Sequence, residues 1–472
     1  MNIIAEAANE RRDRLNRKLV VAYPVFISLF FLIATPIAVW YTEEWDFFAN
    51  LWRIISSPCR LITDYFAVGG LGSTLFNAAV CGLCANAVTY ICRAERNGTI
   101  LAGYMLIVAH CFYGLNFLNM WPPFFGVILF CKVMKKPLSK NINLAFFSTA
   151  LAPFVSEVLF RYSIGSFDAS KTQISAVGVT LALVCGLAVG FVVPALLPGT
   201  AAMHRGYSLY KAGLAIGILG IFIHAFMYNT LGVASPDRIV VDNPDYFALP
   251  YAYRGFMNVF FIVLLAITLV IGLVLNKKSH RYRELLECTG YGTDFTDKFG
   301  MPLCMVNIAV YGACILAYLN IVFILPEIFP WLPEGVGFTG PTVGIVFAAL
   351  TFASDGQHPR NVLPIAVGYG SLLVLVTVIC AISGFDIPWT LSTQSYINAF
   401  AFATGLCPIA GKYGFRYGVL AGFLSAMICT VTAEMHGGFV LYNGGFTAGL
   451  TALVLIPILD FYGVNPKHDD DV

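Results

Sequence analysis

The sequence predicts an all-α membrane protein, a polytopic transmembrane bundle of about 12–14 membrane segments arranged as two inverted repeats. The first observation is composition: of 472 residues, 58% are hydrophobic and 11% charged, whereas a soluble domain carries roughly 25% charged residues. The second is the long apolar runs at 19–42, 254–275 and 363–383, which approach or exceed the ~20 residues that a helix needs to cross a bilayer. The third is a set of phrases that occur twice.

Charge and cysteine content exclude several classes of protein. The net charge of +2 gives no indication of nucleic-acid binding. The 13 cysteines lie mostly inside apolar runs and form no spaced framework, so we expect no disulfides, no metal site and no cofactor. The first apolar run has no small-residue cleavage site, and we interpret it as a retained first span rather than a signal peptide.

Several phrases recur in the same order in the two halves of the chain. MHRGYSLYKAG at 203–213 returns as MHGGFVLYNGG at 435–445, and TDY at 63–65 returns as TDF at 293–295. FSTALAP at 147–153 returns as FATGLCP at 402–408. These pairs predict duplicated units at 19–230 and 252–463, with a cytoplasmic segment 1–18, an outer linker 231–251 and a cytoplasmic acidic tail 464–472.

The placement of lysine and arginine predicts the direction of each unit. We divide each unit into seven apolar segments, which places most of the 28 lysines and arginines on the side of the N-terminus. Cytoplasmic loops retain these residues, so both termini are expected in the cytoplasm. An odd number of segments inverts the second unit, which puts His204 near the cytoplasmic face and His436 near the outer face.

Two pairs of apolar segments are interrupted at matching positions. Segments 98–113 and 123–134 are short for full crossings. The phrase GLNFLNMWPPFFG at 114–126 connects them and overlaps the start of the second segment. Its partner phrase, GQHPRNVLPIAVG at 356–368, follows the segment 340–355. The pattern fits a re-entrant helical hairpin in each unit; paired full spans, which return to the same face, remain the alternative.

Matched interruptions in two inverted halves indicate a binding site at membrane depth, because broken backbone is tolerated there only beside protein or a water-filled cavity. Glycine and proline supply the breaks, and threonines precede two of the prolines. The alternative for each threonine is an ordinary proline kink in which it satisfies local backbone. The predicted breaks are Gly114, Pro122, Gly356, Pro364, Pro153 and Pro408, and the threonines are Thr149 and Thr404.

The matched asparagines Asn119 and Asn361 are the preferred substrate-binding residues, with Asn116 beside them. Asp355, His358 and Arg360 form the most polar cluster near the membrane. Asp355 could pair with Arg360, or Arg360 could hold an anion; the alternative is a short cytoplasmic loop with no binding role. The matched acids Asp64 and Asp294 are expected to cap helices rather than bind ions, and Asn77 and Asn307 to bond neighbouring helices.

Three further residues are candidate ion or proton sites. Glu157 lies within an apolar segment, where a carboxylate is a functional hypothesis by default, although Arg161 one turn later is an ordinary ion-pair partner. Glu434 and His436 are placed at the outer interface, where a histidine titrates near neutral pH.

The Gly-x4-Asn-x2-Pro-x3-Gly phrase at 114–126 and 356–368, together with LYNGGFTAG at 441–449, resembles a family of bacterial polytopic membrane proteins known only as a domain of unknown function. The resemblance covers nearly the whole chain. It implies a multi-pass protein of the bacterial inner membrane and supplies neither a substrate nor a site residue.

These features favour a membrane transport protein, a secondary transporter or channel for a small polar or anionic solute, with its site near the midplane between the repeats. Because the sequence contains no ATP-binding motif, the energy is expected to come from a gradient of a coupling ion, Na⁺ or H⁺, or from the solute's own gradient. The expected partners are the solute, the ion and the lipid bilayer, with homo-oligomerisation left open. The alternative is a membrane-embedded enzyme acting on a lipid or lipid-linked substrate, with Glu434 and His436 its only candidates; a structural subunit is the third.

Overall fold

A computed structural model describes residues 2–162, 173–232, 253–276 and 281–467. Within these ranges every regular element is helical, and 10 helices are long and apolar enough to cross a membrane. Most of the predicted linker 231–251 and of the predicted tail 464–472 lies outside the described residues. The polytopic helical bundle predicted from the sequence is confirmed.

The described part of the first unit contains nine α-helices. Helices α6 and α7 are joined by a 3₁₀ turn at Thr149–Leu151, and α9 continues into a π-helical turn at Ala225–Thr230. The bounds are α1 Asn2–Thr42, α2 Phe47–Ser56, α3 Tyr65–Ile91, α4 Gly98–His110, α5 Trp121–Val133, α6 Ile142–Ser148, α7 Ala152–Arg161, α8 Ala176–Met203 and α9 Lys211–His224.

The second unit repeats this order. A 3₁₀ turn at Thr404–Leu406 interrupts it at the same place, and Gly300 (φ +84°) breaks the chain between two helices where Gly70 (φ +77°) kinks α3. The bounds are α10 Arg254–Asn276, α11 Tyr282–Leu286, α12 Phe295–Lys298, α13 Met301–Ile328, α14 Gly340–Ala349, α15 Pro359–Ser383, α16 Gln394–Ala403, α17 Cys407–Tyr413, α18 Phe415–Met435 and α19 Asn443–Phe461.

Two reciprocal hydrogen bonds show that the units run in opposite directions. Asp64, the N-cap of α3, accepts from the backbone N–H of Gly340 at the start of α14 (2.8 Å), and Asp294, the N-cap of α12, accepts from that of Gly98 at the start of α4 (3.0 Å). The part of α3 beyond the kink at Gly70, residues 71–91, is about 30 Å long, and the loop 92–97 is too short to retrace it. The start of α12 therefore lies where α3 ends, and α3 and α13 are antiparallel.

We call the two ends of the bundle the Asp64 end and the Asp294 end. The duplicated histidines confirm the inversion, because they lie at opposite ends. Beside His204, the carbonyl of Arg205 accepts from the hydroxyl of Tyr291 at the Asp294 end (2.8 Å). Beside His436, the carbonyl of Gly437 accepts from Nε of Arg60 at the Asp64 end (2.8 Å).

Each pair of interrupted segments returns to the end from which it starts. The N–H of Glu95, before α4, donates to the carbonyl of Ser139, after α5 (3.1 Å), and the N–H of Val336, before α14, donates to that of Ser392, after α15 (3.1 Å). Helices α4 and α5 have 13 residues each and α14 has 10, all short for a crossing, whereas α15 has 25. The first pair therefore forms a short hairpin, and the second has one long arm.

The units meet where the starts of α9 and α19 cross. A Cβ added to Gly213 would lie 2.4 Å from the carbonyl carbon of Gly445, so the backbones are in direct contact. Helices α4 and α14 also pack closely, since a Cβ on Gly344 would lie 2.3 Å from the carbonyl oxygen of Ala109. Small residues thus allow close packing of helices at the repeat interface.

Candidate functional site

A cavity of about 600 Å³ opens at the Asp294 end and extends into the repeat interface. Its walls come from α4, α6, α8, the segment 206–213, the loop 291–294 and the tip residues 352 and 355 between α14 and α15. The innermost side chains are aromatic: Phe147, Tyr210, Phe352 and Tyr442. Residues of both units therefore line one cavity.

The duplicated phrase supplies one wall of this cavity. After α8 ends at Met203, the N–H of Leu209 donates to the carbonyl of Gly405 in the 3₁₀ turn of the other unit (2.9 Å). The N–H of Leu441 likewise donates to the carbonyl of Ala150 (3.0 Å). Each copy of the phrase is thus anchored to the broken helix of the opposite unit, because a 3₁₀ turn leaves carbonyls free for such bonds.

The two threonines of the broken helices bond within their own segments. The hydroxyls of Thr149 and Thr404 donate to the carbonyls of Phe146 (2.7 Å) and Ala401 (2.6 Å), and Thr404 also accepts from the side chain of Gln357 (2.7 Å). Pro153 and Pro408 occupy the first turns of α7 and α17, where a missing N–H has no cost.

The matched asparagines close their own tip loops. Nδ2 of Asn119 donates to the carbonyl of Gly114, and Nδ2 of Asn361 to that of Gly356, both at 2.9 Å. Their side-chain oxygens accept from the backbone N–H groups of Asn116 (2.8 Å) and His358 (3.0 Å). Gly356 has a φ of +122°, which favours glycine at this turn. Pro122 lies in the first turn of α5, and Pro364 lies within α15.

A second matched pair of asparagines fixes the tips from outside. Nδ2 of Asn307 donates to the carbonyls of Ala353 and Gln357, both at 2.7 Å, and Nδ2 of Asn77 donates to the equivalent carbonyls of Cys111 and Leu115 at 3.0 and 2.9 Å. The expected helix-to-helix role of both asparagines therefore fits these contacts.

Asn307→Leu is expected to loosen the tip between α14 and α15, because it leaves two buried carbonyls without donors at about 1–3 kcal/mol each. Hydrogen exchange should then rise within 350–361 and remain unchanged within 111–119. Asn77→Leu is the matched variant and should reverse the pattern. Equal exchange at both tips in either variant would contradict these assignments.

Of the eight predicted substrate-binding residues, Asp355 alone lines the cavity. His358 caps α15, and its Nε2 lies 2.9 Å from the carbonyl oxygen of Cys288. Arg360 is exposed, and the described residues include no ion pair between it and Asp355. Asn119, Asn361, Asn116, Thr149 and Thr404 are buried outside the cavity wall.

The predicted ion residues lie away from the cavity. Glu157 is buried and pairs with Nε of Arg161 (3.1 Å) while accepting from the hydroxyl of Tyr228 (3.1 Å). His436 is buried with Nε2 3.0 Å from Oδ1 of Asn443, and Glu434 is exposed on α18. Glu157 and His436 belong to the Asp64 end, because Arg60 also lies beside Tyr228.

Lys211 and Asp355 are the cavity's charged side chains that form no ion pair within the described part of the chain. Lys211, the first residue of α9, is exposed into the cavity. The carboxylate of Asp294 differs, because it accepts from Gly98 and from the hydroxyl of Thr296 (2.6 Å). Burial, followed by the nearby carboxylate of Asp294, raises the pKa of Asp355 well above its usual value, and Lys211 opposes this shift.

A cluster of polar groups without partners among the described residues lies at Tyr442 in the cavity wall and extends behind it. Both ring nitrogens of His110 and the hydroxyls of Tyr113 and Tyr442 are buried and make no hydrogen bond to any residue that the structure describes. The ring of His110 lies 4.9 Å from that of Tyr442 and 5.3 Å from that of Tyr113. Each such group costs about 1–3 kcal/mol, so the cluster requires an explanation beyond packing.

The sequence did not point to Lys211 or to the tyrosines of this cluster. For His110, a single histidine in an apolar span, the expectation was a bond to a neighbouring carbonyl, which neither ring nitrogen makes within the described residues. Tyr210 and Tyr442 belong to the duplicated phrase, and Lys211 occupies a position at which its copies differ, with Asn443 in the second. That difference was the available signal for a specialised site. His110 and Tyr113 stood in an apolar segment without any distinguishing pattern.

The fold and the cavity define a polytopic helical membrane protein built from two inverted units with broken helices at their interface. The chain belongs to the family described as "Protein of unknown function (DUF1576)", whose model matches residues 43–229 and 274–461. The two matches confirm the resemblance to an uncharacterised family present as two internal repeats. No curated protein and no solved structure matches the chain.

Proposed function

We propose that this protein is a secondary transporter for a small polar solute, most favourably an anion, that enters the cavity from the Asp294 end. The observation that carries the proposal is the one-sided cavity, which reaches from the Asp294 end to Tyr442 at the interface of two inverted units. Paired broken segments in inverted repeats are the usual setting for the site of a secondary transporter.

Closure beyond the cavity supports a transporter rather than an open channel. At the Asp64 end the N–H of Leu61 donates to the carbonyl of Gly438 (2.7 Å), so a backbone bond joins the two units there. Tyr113, Phe439 and Leu441 are almost fully buried nearby. A transporter requires such a closed side, because both ends must not open together.

Lys211 supports an anionic solute. It is the one lysine or arginine that lines the described cavity, and it has no ion-pair partner among the described residues. Asp294 is occupied by backbone and hydroxyl donors. When Asp355 is protonated, Lys211 offsets the formal charge of Asp294 and keeps its ammonium group available, whereas an ionised Asp355 gives the lining a net negative formal charge and opposes an anion.

The raised pKa of Asp355 gives the proposal a coupling proton. Anion binding is favoured while Asp355 is protonated, and it weakens as pH rises through this raised pKa, because the carboxylate then repels the anion. Solute and proton would therefore bind together. The charged groups that act on Asp355 are Asp294, Lys211 and Asp297. Asp355 in turn acts on the neighbouring thiols of Cys304 and Cys407.

Exposed basic residues support a cytoplasmic Asp294 end in the bacterial inner membrane, with both termini cytoplasmic. Lys132 lies in the last turn of α5 and Lys135 and Lys136 follow it at this end, while Arg93 and Arg96 precede α4. The positive-inside rule places such loops in the cytoplasm. Fusing a reporter that is active only in the cytoplasm to the C-terminus tests the orientation, and an inactive reporter on a folded protein would reverse it.

Lys211→Asn is expected to weaken anion binding by about tenfold or more, since a hydrogen bond to a charged group contributes roughly 1.5–3 kcal/mol. The substitution installs the residue that the second unit carries at the equivalent position. The measurement is thermal stabilisation of the purified full chain, screened across inorganic anions, carboxylates, sugars and amino acids. Lys140→Gln, which removes an exposed lysine outside the cavity, is the matched control.

A stabilising anion that Lys211→Asn binds as well as the unaltered protein would overturn the site. Asp355→Asn provides the pH test, because it should bind the anion with an affinity that no longer falls with rising pH. Uptake of the stabilising solute into proteoliposomes then tests transport itself. The alternative of a lipid enzyme has no comparable support, since neither Glu434 nor His436 lines the described cavity.

A further inference from the structure

We propose that the Asp64 half of the repeat interface contains a second half-cavity, now collapsed around His110 and Tyr113, that opens when the present cavity closes. The inference rests on the proposed function and deepens it, because it assigns the residues that line the exit for the solute. Two inverted units of similar sequence can exchange conformations, and alternating access then follows from their symmetry.

The internal repeat identifies the lining of the second half-cavity. The matched tips and helix starts align Phe352 with His110, and Asp355 with Tyr113. Both members of the second unit line the present cavity, whereas both members of the first are fully buried. Similarly, Leu197 of α8 lines the cavity, and its counterpart on α18, Cys429, is 1% exposed.

The first asymmetry between the units is a hydrogen bond made by a tyrosine hydroxyl in one unit and not in the other. The hydroxyl of Tyr210 donates to the carbonyl of Ala348 in α14 (2.5 Å). The counterparts of these residues are Tyr442 and Leu106, which both line the cavity, and the hydroxyl of Tyr442 has no partner. One copy of the same contact is therefore closed while the other is open.

The second asymmetry lies between the loops that enter from the two ends. At the Asp64 end, the N–H of Leu61 bonds directly to Gly438 (2.7 Å). Tyr291 is the counterpart of Leu61, yet its N–H donates to the side chain of Thr289 within its own loop (3.2 Å). The backbone contact that closes one end is thus absent at the other among the described residues.

The unpartnered polar groups fit a surface that becomes wet. A dry interface that stays closed gains nothing from the ring nitrogens of His110 and the hydroxyl of Tyr113, and burying them is costly. Water or solute in an opened half-cavity would satisfy them. This accounts for a cluster that packing leaves unexplained.

Apart from Asp64, the counterpart of Asp294, the second half-cavity would present uncharged groups to the solute at the positions of the present charges. Asn443 replaces Lys211, and Tyr113 replaces Asp355, so an amide and a phenol stand where the present cavity has charges. An anion would therefore bind more weakly when the Asp64 end is open, and it would be released there. The chemistry favours transport from the Asp294 end to the Asp64 end for a small anion.

The experiment compares Tyr210→Phe with Tyr442→Phe in the full chain, reconstituted in nanodiscs so that both ends are accessible. Cys429 is kept as a single reporter of the collapsed half, with the other cysteines replaced. Leu197→Cys, with Cys429 also replaced, reports the present cavity. The measured quantity is the rate of labelling by a water-soluble maleimide.

Tyr210→Phe removes a bond that only this state makes, so labelling of Cys429 should rise about fivefold while labelling at position 197 falls. Tyr442→Phe should leave Cys429 protected, because its hydroxyl makes no bond in this state. Equal protection of Cys429 in both variants would overturn the proposal, and so would faster labelling at both positions, which indicates general loosening.

Hydrogen exchange on the unaltered chain gives an independent test. The Leu61 N–H should exchange faster than those of Leu209 and Leu441, whose bonds are present in both units and need not break. Equally slow exchange at Leu61 would overturn the proposal. If labelling rises at Cys429 and falls at position 197, but no solute stabilises the protein or is transported, the two conformations would stand and the proposed transport function would be rejected.

Discussion

Gly213→Ala is expected to disrupt the packing of the two units against each other. The added Cβ would lie 2.4 Å from the carbonyl carbon of Gly445 and 2.8 Å from its Cα. These are backbone atoms at the start of α19 and cannot rotate away. Close helix packing in membranes depends on such small residues, and overpacking costs typically 1–3 kcal/mol or more.

The measurement is the melting temperature and the monodisperse fraction of the purified protein in detergent. Gly199→Ala is the matched control, because Gly199 also lies in a long apolar helix and an added Cβ there meets nothing within 4 Å. The control should purify and melt like the unaltered chain. If Gly213→Ala did the same, the close contact of α9 and α19 would be wrong.

The architecture was predictable because duplication and reversal leave marks along the chain. The two copies of the phrase containing His204 and His436 identified equivalent positions, and an odd number of segments placed them at opposite ends, where they lie. The Gly/Pro phrases after Tyr113 and Asp355 likewise predicted the interruptions between α4 and α5 and between α14 and α15. Periodicity and breaker residues act locally, so a sequence shows them directly.

The positions of Asn119 and Asn361 relative to the cavity were not predictable in the same way. A tip asparagine can bond a solute or its own loop, and the choice depends on loop closure that the sequence does not display. In the structure both amides bond the glycine carbonyl five residues earlier. Whether either asparagine contacts a solute remains a prediction.

The position of the cavity depends on conformation rather than on sequence pattern. Tyr210 and Tyr442 occupy equivalent positions in the duplicated phrase, yet only the hydroxyl of Tyr210 is bonded. No property of the two copies alone indicates which half is open. Lys211 is different, because its replacement by Asn443 in the second copy marks the side on which charge is available.

The carboxylates of Asp64 and Asp294 show one role that the sequence predicts and one that it does not. Their position before a helix predicted capping, and each accepts from the first turn of its own helix, through Phe66 at 2.9 Å and Thr296 at 2.7 Å. Each also caps a hairpin helix of the opposite unit. The sequence could not reveal the second role, because those partners lie about 200 or more residues away.

Asp64→Ala is expected to destabilise the protein by about 3–6 kcal/mol, since the two buried backbone donors of Phe66 and Gly340 each lose a charged acceptor worth roughly 1.5–3 kcal/mol. Asp294→Ala should cost less, because Asp294 lies partly exposed and water can replace it. Hydrogen exchange separates the two roles. Asp64→Ala should accelerate exchange at the start of α14, and Asp294→Ala at the start of α4, each in the unit opposite to the substitution.

A destabilised chain whose exchange rises only in α3 or α12 would show that each aspartate caps its own helix alone. That result would also remove the contacts from which the reversed direction of the units follows.

If each substitution instead accelerates hydrogen exchange in the opposite unit, the result also bears on the cavity. Gly98 and Thr99 begin α4 at the mouth of the cavity, so Asp294 in one unit positions a wall built by the other. Movement of either unit must therefore carry part of its partner's hairpin with it.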